Sequence, residues 1–499
     1  MKLFTVDQIK AWDLATIKEK NISSLELMET AANAFALQYM SLYGVEMPVS
    51  IFCGLGNNGA DGLAVARILS MQGYEVKVWL ADFGQSKSAE FTANLNRLPD
   101  FGHIPLFNID MSEPPSLHPN EIIIDALLGT GINRAVEGQM EDLIHWVNTM
   151  NHVVISIDVP SGLFGEQHCS TAIHAHHTIT FQIPKLSFLL PSYEQYTGTW
   201  QKVDIGLVPS HTLHTPTNYY LIEKKLIHNL IFKRKKFAHK GNFGHALLIA
   251  GSHGKGGAAI LASRACLRSG VGLLTTHIPL SLYQIIQNSV PEAMASVDEH
   301  EYYWSSIPNE LNKYSAIGVG SGMNQKESTE RALQTLIRQS ICRMVIDADG
   351  LNLISKHKDL LDLIPPGSIL TPHLKEFERL FGVSKSCFDR LEKLRENAIK
   401  YKITILLKGA YTSIACPDGT VHFNSTGNPG MATAGTGDVL TGILTSLLAQ
   451  GYDTDAAAMI GVFVHGHAGD LAYQESCYES LIASDIIDHL GKAFHTILN

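Results

Sequence analysis

The sequence predicts an α/β protein of two domains, each with three layers in which helices cover both faces of a parallel sheet. The chain has 499 residues, which is too long for one compact core. In both halves, β-branched runs end in glycine loops and lead into helical patterns, an alternation typical of parallel sheets. The alternation stops between the halves, so we expect domains at 1–215 and 236–499 with a linker at 216–235.

Five short β-branched runs predict the strands of the first half. They are VSIFCG (49–54), YEVKVWL (74–80), EIIIDAL (121–127), HVVISIDV (152–159) and HTITF (177–181). Loops that contain glycine or proline follow these runs and mark the ends of the strands. The first half is therefore expected to form one parallel sheet.

Six further runs predict the strands of the second half. They are HALLIAG (245–251), VGLLTTHI (271–278), SAIGVG (315–320), RMVIDA (343–348), SILT (368–371) and ITILLKG (403–409). A Pro-Asp-Gly turn in ACPDGTVHF predicts a hairpin at 412–423. Because the two halves share no obvious sequence repeat, we expect two unrelated domains.

Composition indicates a globular enzyme rather than a disordered or fibrous chain. Hydrophobic residues make up 45% and charged residues 17% of the sequence. The net charge of -10 gives no reason to expect a nucleic-acid partner. The one basic run, KRKK at 233–236, could contact phosphate, although such runs are more often solvated linkers or helix ends.

The cysteines and the N-terminus favour a cytoplasmic protein that has no membrane partner. The seven cysteines are scattered without a CxxC pair, as is typical of proteins that keep their thiols reduced. The first twenty residues alternate charged and apolar residues, so they predict neither a secretory signal nor a membrane span.

The first candidate site is the loop GLGNNGADG (54–62), which follows the first predicted strand and precedes a helical pattern. Backbone N–H groups at such a helix start can hold an anionic ligand. The loop is not a P-loop, and Gly54, Gly56 and Gly59 fit GxGxxG only loosely. Binding of a phosphorylated ligand and a tight structural turn both remain open for this pattern alone.

Acidic residues at two other strand ends favour the binding interpretation. Asp125 precedes LLGTGINR and Asp158 precedes VPSG. Because ligands bind beyond the carboxyl ends of parallel strands, these loops should converge with the glycine loop. The alternative is that both aspartates only cap the helices that follow.

The converging loops predict an oxygen-rich cluster. Its members are Asn57, Asn58, Asp61, Asp125, Asp158 and Ser161. Such ligands suit a hard cation, either a weakly bound monovalent ion or Mg²⁺. Lys185 follows another predicted strand and could meet the cluster as an anion or proton partner. The HAHH run at 174–177 is a weaker metal candidate, because no companion carboxylate motif accompanies it.

The second half carries its own candidate site. GSHGKGGAAILAS, DADGLNLI, LTPHLKEFERLFG and LLKGAYT each place glycines or charged residues at a strand end. In GTGD (435–438), the backbone N–H groups of the glycines and Thr436 would point at a phosphoryl group. Asp438, on the first helical turn, could take a proton from an attacking hydroxyl.

These motifs resemble known families. GTGD on a helix start resembles the ribokinase superfamily, in which the glycines form an anion hole and the aspartate acts as base. Together with HKGNFGHALLIAGS, DADGLNLI, LTPHLKEFERL, LKGAYT and GNPGMATAGTGDVLTG, it looks like the NAD(P)H-hydrate dehydratase branch. GNNGADG, DALLGTG, IDVPSG and PK followed by DIGL resemble the NAD(P)H-hydrate epimerase domain, which is Rossmann-like. The likeness runs from about residue 5 to 495.

The resemblance implies repair of damaged cofactors. The N-terminal domain would interconvert the R and S forms of hydrated NADH and NADPH. The C-terminal domain would dehydrate the S form at the expense of ADP, releasing AMP and phosphate, although the sequence leaves ADP and ATP open as donors. The resemblance also implies a homo-oligomer. The alternative is a small-molecule kinase of the ribokinase superfamily, acting on a sugar or vitamin precursor.

The resemblance also implies roles for individual residues. Asp438 would be the base of the dehydratase, Asp158 the acid/base of the epimerase and Lys185 a weaker candidate. K⁺ would bind at Asn58, Asp125 and Ser161, and Mg²⁺ would bind at the dehydratase site. The nucleotide-binding residues would be Asn57, Asn58, Gly59, Ala60, Asp61, Gly129, Thr130, Gly131, Ile132, Asn133, Arg134, Ala135 and Asp158 in the first domain, and Ala258, Gly322, His373, Lys408, Gly409, Ala410, Tyr411, Thr412, Gly437 and Asp438 in the second.

One residue departs from the family pattern. The family loop reads GNNGGDG, whereas Ala60 stands here in place of a glycine. If that position needs a positive φ or close approach of the ligand, the alanine would disturb substrate binding; at a helix start its methyl group would be harmless.

Overall fold

The computed structural model describes residues 1–101, 104–131, 135–163 and 171–499. The chain divides into an N-terminal unit, Lys2–Thr217, and a C-terminal unit made of Met1 and Asn218–Asn499. In the described part of the chain, no helix is both long enough and apolar enough to cross a bilayer.

A seven-stranded parallel sheet forms the centre of the N-terminal unit. Its strands are β1 (Val49–Cys53), β2 (Val76–Leu80), β3 (Leu106–Asn108), β4 (Ile122–Ala126), β5 (Val154–Ile157), β6 (His177–Phe181) and β7 (Thr199–Val203). Their order in the sheet is β3-β2-β1-β4-β5-β6-β7. The strand order reverses between β1 and β4, which is where open sheets of this kind form a ligand crevice.

Helices cover both faces of this sheet. They are α1 (Val6–Lys20), α2 (Ser24–Leu42), α3 (Asn57–Met71), α4 (Ala89–Arg97), α5 (Gln139–Thr149), α6 (Glu194–Thr197) and α7 (Pro209–His214). Gly62 of α3 packs against Ile51 and Cys53 of β1. Phe52, between them, points to the other face, where it joins the hydrophobic cluster that includes Leu143 of α5. This alternation along a buried strand is what places a helix on each side.

A ten-stranded sheet forms the centre of the C-terminal unit. Its strands are β8 (Tyr219–Leu221), β9 (His245–Ile249), β10 (Leu273–Ile278), β11 (Met294–Val297), β12 (Ala316–Val319), β13 (Met344–Ile346), β14 (Ile369–Leu370), β15 (Thr404–Leu407), β16 (Ser413–Ala415) and β17 (Val421–Phe423). The order is β11-β10-β9-β12-β13-β14-β15-β16-β17-β8. From β11 to β15 the neighbours are parallel, and β16 and β17 form the predicted antiparallel hairpin.

Helices accompany this sheet in the C-terminal unit. They are α8 (Lys224–Leu230), α9 (Gly256–Arg268), α10 (Tyr283–Ser289), α11 (Glu327–Gln339), α12 (Ala348–Lys356), α13 (Leu374–Phe381), α14 (Cys387–Tyr401), α15 (Thr436–Ala449), α16 (Thr454–Glu475) and α17 (Ala483–Leu498). α15 is buried along nearly its whole length and packs closely on α9. This packing holds the GTGD turn at the carboxyl ends of the parallel strands.

The structure corrects the predicted linker at 216–235. β8 lies in this range and pairs with β17, and α8 follows it with Ile227 fully buried in the C-terminal core. The basic run is partly anchored as well, because Arg234 donates to the Gly270 carbonyl and stacks on Phe243. Since these contacts tie β8 and α8 to the second sheet and its core, residues 218–235 belong to the C-terminal unit.

A stability prediction follows from the packing of α15 on α9. Gly442 lies in the interior of α15, where alanine would ordinarily stabilise a helix by up to about 1 kcal/mol. Here a Cβ atom would lie 2.1 Å from the Ala262 carbonyl oxygen and 3.0 Å from the Ala265 Cβ atom. We therefore expect Gly442→Ala to destabilise the C-terminal unit by about 1–3 kcal/mol, measured by the unfolding midpoint in calorimetry.

Gly491→Ala is the matched control. This glycine lies in α17, and a Cβ atom there would meet no other atom within 4 Å. The control should leave the midpoint unchanged or raise it slightly. Equal shifts in the two variants would contradict the packing argument.

Candidate active sites

A cavity of about 850 Å³ opens at the strand-order reversal of the N-terminal unit. Its walls come from the glycine loop, from the loop after β4, from Asp158, and from α1 and α2. The first two helices begin at capping boxes, Thr5 with Gln8 and Ser23 with Glu26, which set where each helix starts. The cavity has the size and position of a small-molecule site.

The glycine loop allows the backbone of β1, α3 and β4 to pack closely. A Cβ atom on Gly59 would lie 1.7 Å from the Gly54 carbonyl oxygen, so only glycine fits there. No side chain caps the start of α3, and Asn57 and Asn58 line the cavity from its first turn. Ala60 is fully buried in regular helix and does not require a positive φ, so its methyl group is accommodated.

The Asp125 carboxylate is buried at the end of β4 and accepts four hydrogen bonds. The donors are the hydroxyl and backbone N–H of Ser161, the Ser156 hydroxyl at 2.7 Å and the Leu127 N–H at 3.3 Å. Asn58 donates to the Leu128 carbonyl at 3.1 Å, and the Ser161 hydroxyl lies 3.2 Å from the same oxygen. The structure thus brings together the three residues that were predicted to bind a cation.

This cluster consists of hard oxygen donors around a single carboxylate. Burial raises the pKa of Asp125, while its hydrogen bonds from Ser161 oppose that shift. Among the described residues, no lysine, arginine or histidine forms an ion pair with Asp125. A bound monovalent cation would supply the missing positive charge, so the donor set fits K⁺.

The Asp158 carboxylate and the Lys185 ammonium group form an ion pair at the cavity wall. The same oxygen of Asp158 accepts from the Thr180 hydroxyl at 3.1 Å and the Phe181 N–H at 2.9 Å. Lys185 is only 2% exposed. The backbone φ of Asp158 is +65°, a conformation that is rare for residues other than glycine and that often occurs at functional sites.

Two further carboxyl groups face this ion pair. Asp61, on α3, has its pKa raised well above the ordinary value by burial and by the charges of Asp158 and Asp13. Burial raises the pKa of Asp13, on α1, to about 6, and repulsion from Asp158 adds to the shift. The sequence did not indicate Asp13 as a site residue, because nothing in the pattern of α1 distinguishes this acidic residue from its neighbours.

Only some of the residues predicted for this site line the cavity. Gly129, Thr130 and Gly131 line the cavity, whereas Gly59 and Ala60 are buried beneath it. Ala135 is exposed and lies outside the cavity lining. The positions Ile132, Asn133 and Arg134 lie outside the described residues.

The HAHH histidines have structural contacts. His176 accepts from the Val154 N–H at 3.1 Å, His174 packs edge-on against Tyr196, and His177 does so against Tyr43. In the part of the chain that the structure describes, no group of three His, Cys, Asp or Glu residues is arranged to hold a metal ion. These contacts account for the histidines without a metal.

In the C-terminal unit, α15 begins at Gly435 without a side-chain cap. Gly435 has a φ of +91°, which turns the chain into the helix. The N–H groups of the first turn therefore have no acceptor within the helix, and such groups are suited to an anion, which is the role that the sequence predicts for them. A Cβ atom on Gly437 would lie 3.5 Å from an Asp347 carboxylate oxygen and 3.7 Å from the Lys408 ammonium group.

An ion pair lies directly beside this helix start. Lys408 contacts the buried Asp347 carboxylate at 2.7 Å, and the Thr441 hydroxyl donates to its other oxygen at 3.0 Å. Burial alone would lower the pKa of Lys408, but Asp347 raises it, so the lysine stays charged. This places a positive charge next to the first turn of α15.

Asp438 has the properties of a proton acceptor. Burial raises its pKa to about 6, and the negative charge of Asp347 contributes to the increase. Nearby, Asp349 accepts from Lys255 at 3.3 Å, from the Asn324 N–H at 3.0 Å and from the Gln325 side chain at 2.9 Å. The site therefore combines two lysines with three carboxyl groups.

The remaining predicted residues are arranged around this centre. A Cβ atom on Gly322, whose φ is +62°, would lie 2.9 Å from the Ala258 methyl group, so these two residues face each other. His373 caps α13 through its Nδ1 atom. Burial lowers the pKa of His373, which keeps it neutral. The loop from Lys408 to Thr412 is closed by hydrogen bonds between Thr412 and Gly409.

Another titratable residue beside the start of α15 was not predicted. His465, on α16, has its pKa lowered by burial to about 4, and it lies next to the backbone of Thr436 and to Lys408. Asp347 and Asp349 were visible in DADGLNLI as two aspartates at a strand end, but the sequence did not separate their roles. The run VHGHAGD around His465 carries no signal beyond its helical spacing.

Comparison with known proteins identifies both units. Residues 246–492 match the family model described as NAD(P)H-hydrate dehydratase, and residues 24–187 match the model described as YjeF-related protein N-terminus. Among solved structures, an ADP/ATP-dependent NAD(P)H-hydrate dehydratase from Bacillus subtilis, co-crystallised with ATP and Mg²⁺, is 30% identical with a TM-score of 0.50. The alignment covers 56% of this chain and 100% of the Bacillus subtilis chain.

A second solved structure is similar to the same unit. A ribokinase-like superfamily protein from Enterococcus faecalis V583 is 26% identical with a TM-score of 0.51. The alignment covers 57% of this chain and 98% of that protein.

The curated relatives extend over the whole chain. Bifunctional NAD(P)H-hydrate repair enzymes from Thermofilum pendens and Coxiella burnetii are each 33% identical. The first alignment covers 100% of this chain and 97% of the relative, and the second covers 95% of both. The enzyme from Moorella thermoacetica is 32% identical over 98% of this chain and 96% of its own length. The chain therefore belongs to the family of bifunctional NAD(P)H-hydrate repair enzymes.

Proposed function

We propose that this protein repairs hydrated NADH and NADPH by two reactions, each in its own unit. The N-terminal unit interconverts the R and S epimers of the hydrate. The C-terminal unit dehydrates the S epimer to NAD(P)H at the expense of ADP. The observation that carries the proposal is Asp438, a carboxyl group of raised pKa on the uncapped first turn of α15, in a chain that matches the family over its whole length.

In the dehydratase reaction, Asp438 accepts the proton of the ring hydroxyl while the hydroxyl oxygen attacks the terminal phosphorus of ADP, and AMP leaves. The N–H groups at the start of α15 and the Lys408 ammonium group stabilise the charge on the phosphoryl oxygens. The carbon–oxygen bond of the phosphorylated hydrate then breaks, pushed by the ring nitrogen. Phosphate departs, and loss of a ring proton restores NAD(P)H.

Ala258, Gly322 and His373 would surround the hydrated nicotinamide nucleotide, and the loop from Lys408 to Thr412 with Gly437 would hold the adenine nucleotide. Asp347 and Asp349 lie beside this nucleotide site, where their carboxylate oxygens would suit Mg²⁺ bound mainly by the nucleotide phosphates. Bound there, Mg²⁺ would neutralise phosphate charge.

In the epimerase reaction, the cavity of the N-terminal unit would hold the hydrate against Asp158 and Lys185. Asn57, Asn58, Asp61 and the loop that begins at Gly129 would contact the nucleotide. K⁺ would bind among Asn58, Asp125 and Ser161, where its charge would help to hold anionic phosphate.

The test of the whole proposal uses the full chain and a mixture of both hydrate epimers. With ADP or ATP supplied in turn, we expect recovery of nicotinamide absorbance together with release of free phosphate, and eventual consumption of both epimers. A kinase of the ribokinase superfamily would instead leave the phosphate on a stable product. Phosphorylated product without recovered NAD(P)H would overturn the dehydratase assignment.

Replacement of the base gives a sharper prediction. Asp438→Asn should slow dehydration of the S epimer by about 10²–10⁴-fold, because the hydroxyl loses its proton acceptor. Nucleotide affinity should stay close to that of the wild type, since the N–H groups and Lys408 remain. Single-turnover kinetics and equilibrium nucleotide binding separate the two effects.

The raised pKa of Asp438 also predicts how the dehydration rate depends on pH. The carboxylate form of Asp438 is the active one, so the wild-type rate should fall as the pH drops through about 6. Asp359→Asn, at an exposed position, is the control and should change neither the rate nor the pH profile. Near-normal turnover in Asp438→Asn would rule out this residue as the base.

Removal of K⁺ tests the cation site of the N-terminal unit. Replacing K⁺ by tetramethylammonium at constant ionic strength should slow epimer exchange and lower the unfolding midpoint of this unit, and added K⁺ should restore both. Asp125→Asn should remove the response of the midpoint to K⁺. An exchange rate that does not depend on K⁺ would contradict the site.

A further inference from the structure

Asp13 lines the cavity because it lies on the face of α1 that forms one of the cavity walls. Lys10, Asp13, Leu14 and Ile17 line one wall at intervals of three, four and seven residues, which is one face of a helix. On the opposite side of α1, Trp12 donates to the Val208 carbonyl at 2.8 Å. This buried anchor holds the wall in place, so Asp13 keeps a fixed position relative to the strand ends.

The hydrogen bonding of Asp13 differs from that of Asp158. One oxygen of Asp158 accepts from three groups, including the buried Lys185. By contrast, within the described part of the chain no hydrogen bond or ion pair ends on the Asp13 carboxyl group. A carboxyl group that is half-buried, lines a cavity and has no protein partner is available to a ligand.

We propose that Asp13 is the proton acceptor of the epimerase reaction and that the Asp158–Lys185 pair orients the substrate. This inference rests on the proposed function of the N-terminal unit. The proton acceptor would then lie on α1, and not in the loops that follow the strands.

The chemistry needs one such acceptor. The hydrated carbon bears both the hydroxyl group and the ring nitrogen. Asp13 takes the hydroxyl proton as the C=O bond forms, and the carbon–nitrogen bond breaks with its electron pair going to nitrogen. After rotation, nitrogen adds to the other face of the carbonyl, and Asp13 returns the proton to oxygen. Atoms and electrons balance, and no co-reactant is consumed.

The charges around Asp13 support this role. The charged groups that line the same cavity are Lys10 on α1, Asp61 on α3, Glu90 on α4 and Asp158, which is paired with Lys185. Burial and the charge of Asp158 raise the pKa of Asp13 to about 6. A base is most effective when its pKa lies near the working pH, so Asp13 is ionised and still basic near neutrality.

The experiment measures the conversion of one purified epimer of hydrated NADH into the other by the full-length protein. ADP is omitted so that the C-terminal unit is inactive. Chromatography separates the epimers, and the rate without protein is subtracted. Asp13→Asn should lower kcat by about 10²–10⁴-fold with KM little changed. Asp7→Asn is the matched control, because Asp7 lies on the same helix with its side chain in solvent.

The wild-type pH profile gives a second test that does not depend on the folding of a variant. Exchange should fall about tenfold per pH unit below about 6, the pKa of Asp13. A flat profile, or an Asp13→Asn variant with wild-type kcat, would overturn the assignment. If the wild type does not exchange epimers at all, the proposed function of the unit fails instead. Calorimetry on Asp13→Asn distinguishes lost chemistry from lost folding.

Discussion

Both sites depend on carboxyl groups that parallel strands hold out of water. A buried carboxylate without compensation costs several kcal/mol, so each must be neutralised, hydrogen-bonded or paired. Asp125 is stabilised by hydrogen bonds from two serines and a backbone N–H. Asp347 is paired with Lys408 and accepts from Thr441. These contacts tie neighbouring strands and helices together at the edge of the sheet where substrate would bind.

The carboxyl groups that lack such compensation are the ones suited to proton transfer. Asp438 and Asp13 have pKa values raised to about 6, because burial and neighbouring carboxylates outweigh the charges of Lys408 and Lys185. Asp125 is also raised, but several hydrogen bonds to its charged form oppose the shift and give it a structural role. The number of donors around each carboxyl group therefore separates groups that hold the fold from groups that can exchange a proton.

Close backbone approach is the second requirement that the two units share. In the N-terminal unit, Gly59 lets α3 pass directly over the Gly54 carbonyl. In the C-terminal unit, Gly442 lets α15 pack against the backbone of α9 at Ala262. In both cases a glycine inside a helix brings the helix N-terminus to the end of a strand, where its free N–H groups can meet an anion.

The sequence by itself determined the elements and motifs that are encoded locally. The apolar runs of the central strands, the Pro-Asp-Gly hairpin and the GTGD turn with Asp438 are each contiguous, so short-range patterns predict them. The edge strands β3, β7, β8 and β11 were not predicted, because exposed strands such as Leu106–Asn108 lack the continuous apolar run of a buried strand.

Only the tertiary structure decided which residues meet. Asp125 and Ser161 share one cluster because β4 and β5 are neighbours in the sheet, and the sequence anticipated this from strand ends alone. The sequence could not place Asp13 in the cavity. On a helix with many polar residues, the surroundings of each side chain depend on what the helix packs against. The sequence also could not separate Asp347 from Asp438, because the ion pair between Asp347 and Lys408 and the burial that raises the pKa of Asp438 exist only in the folded chain.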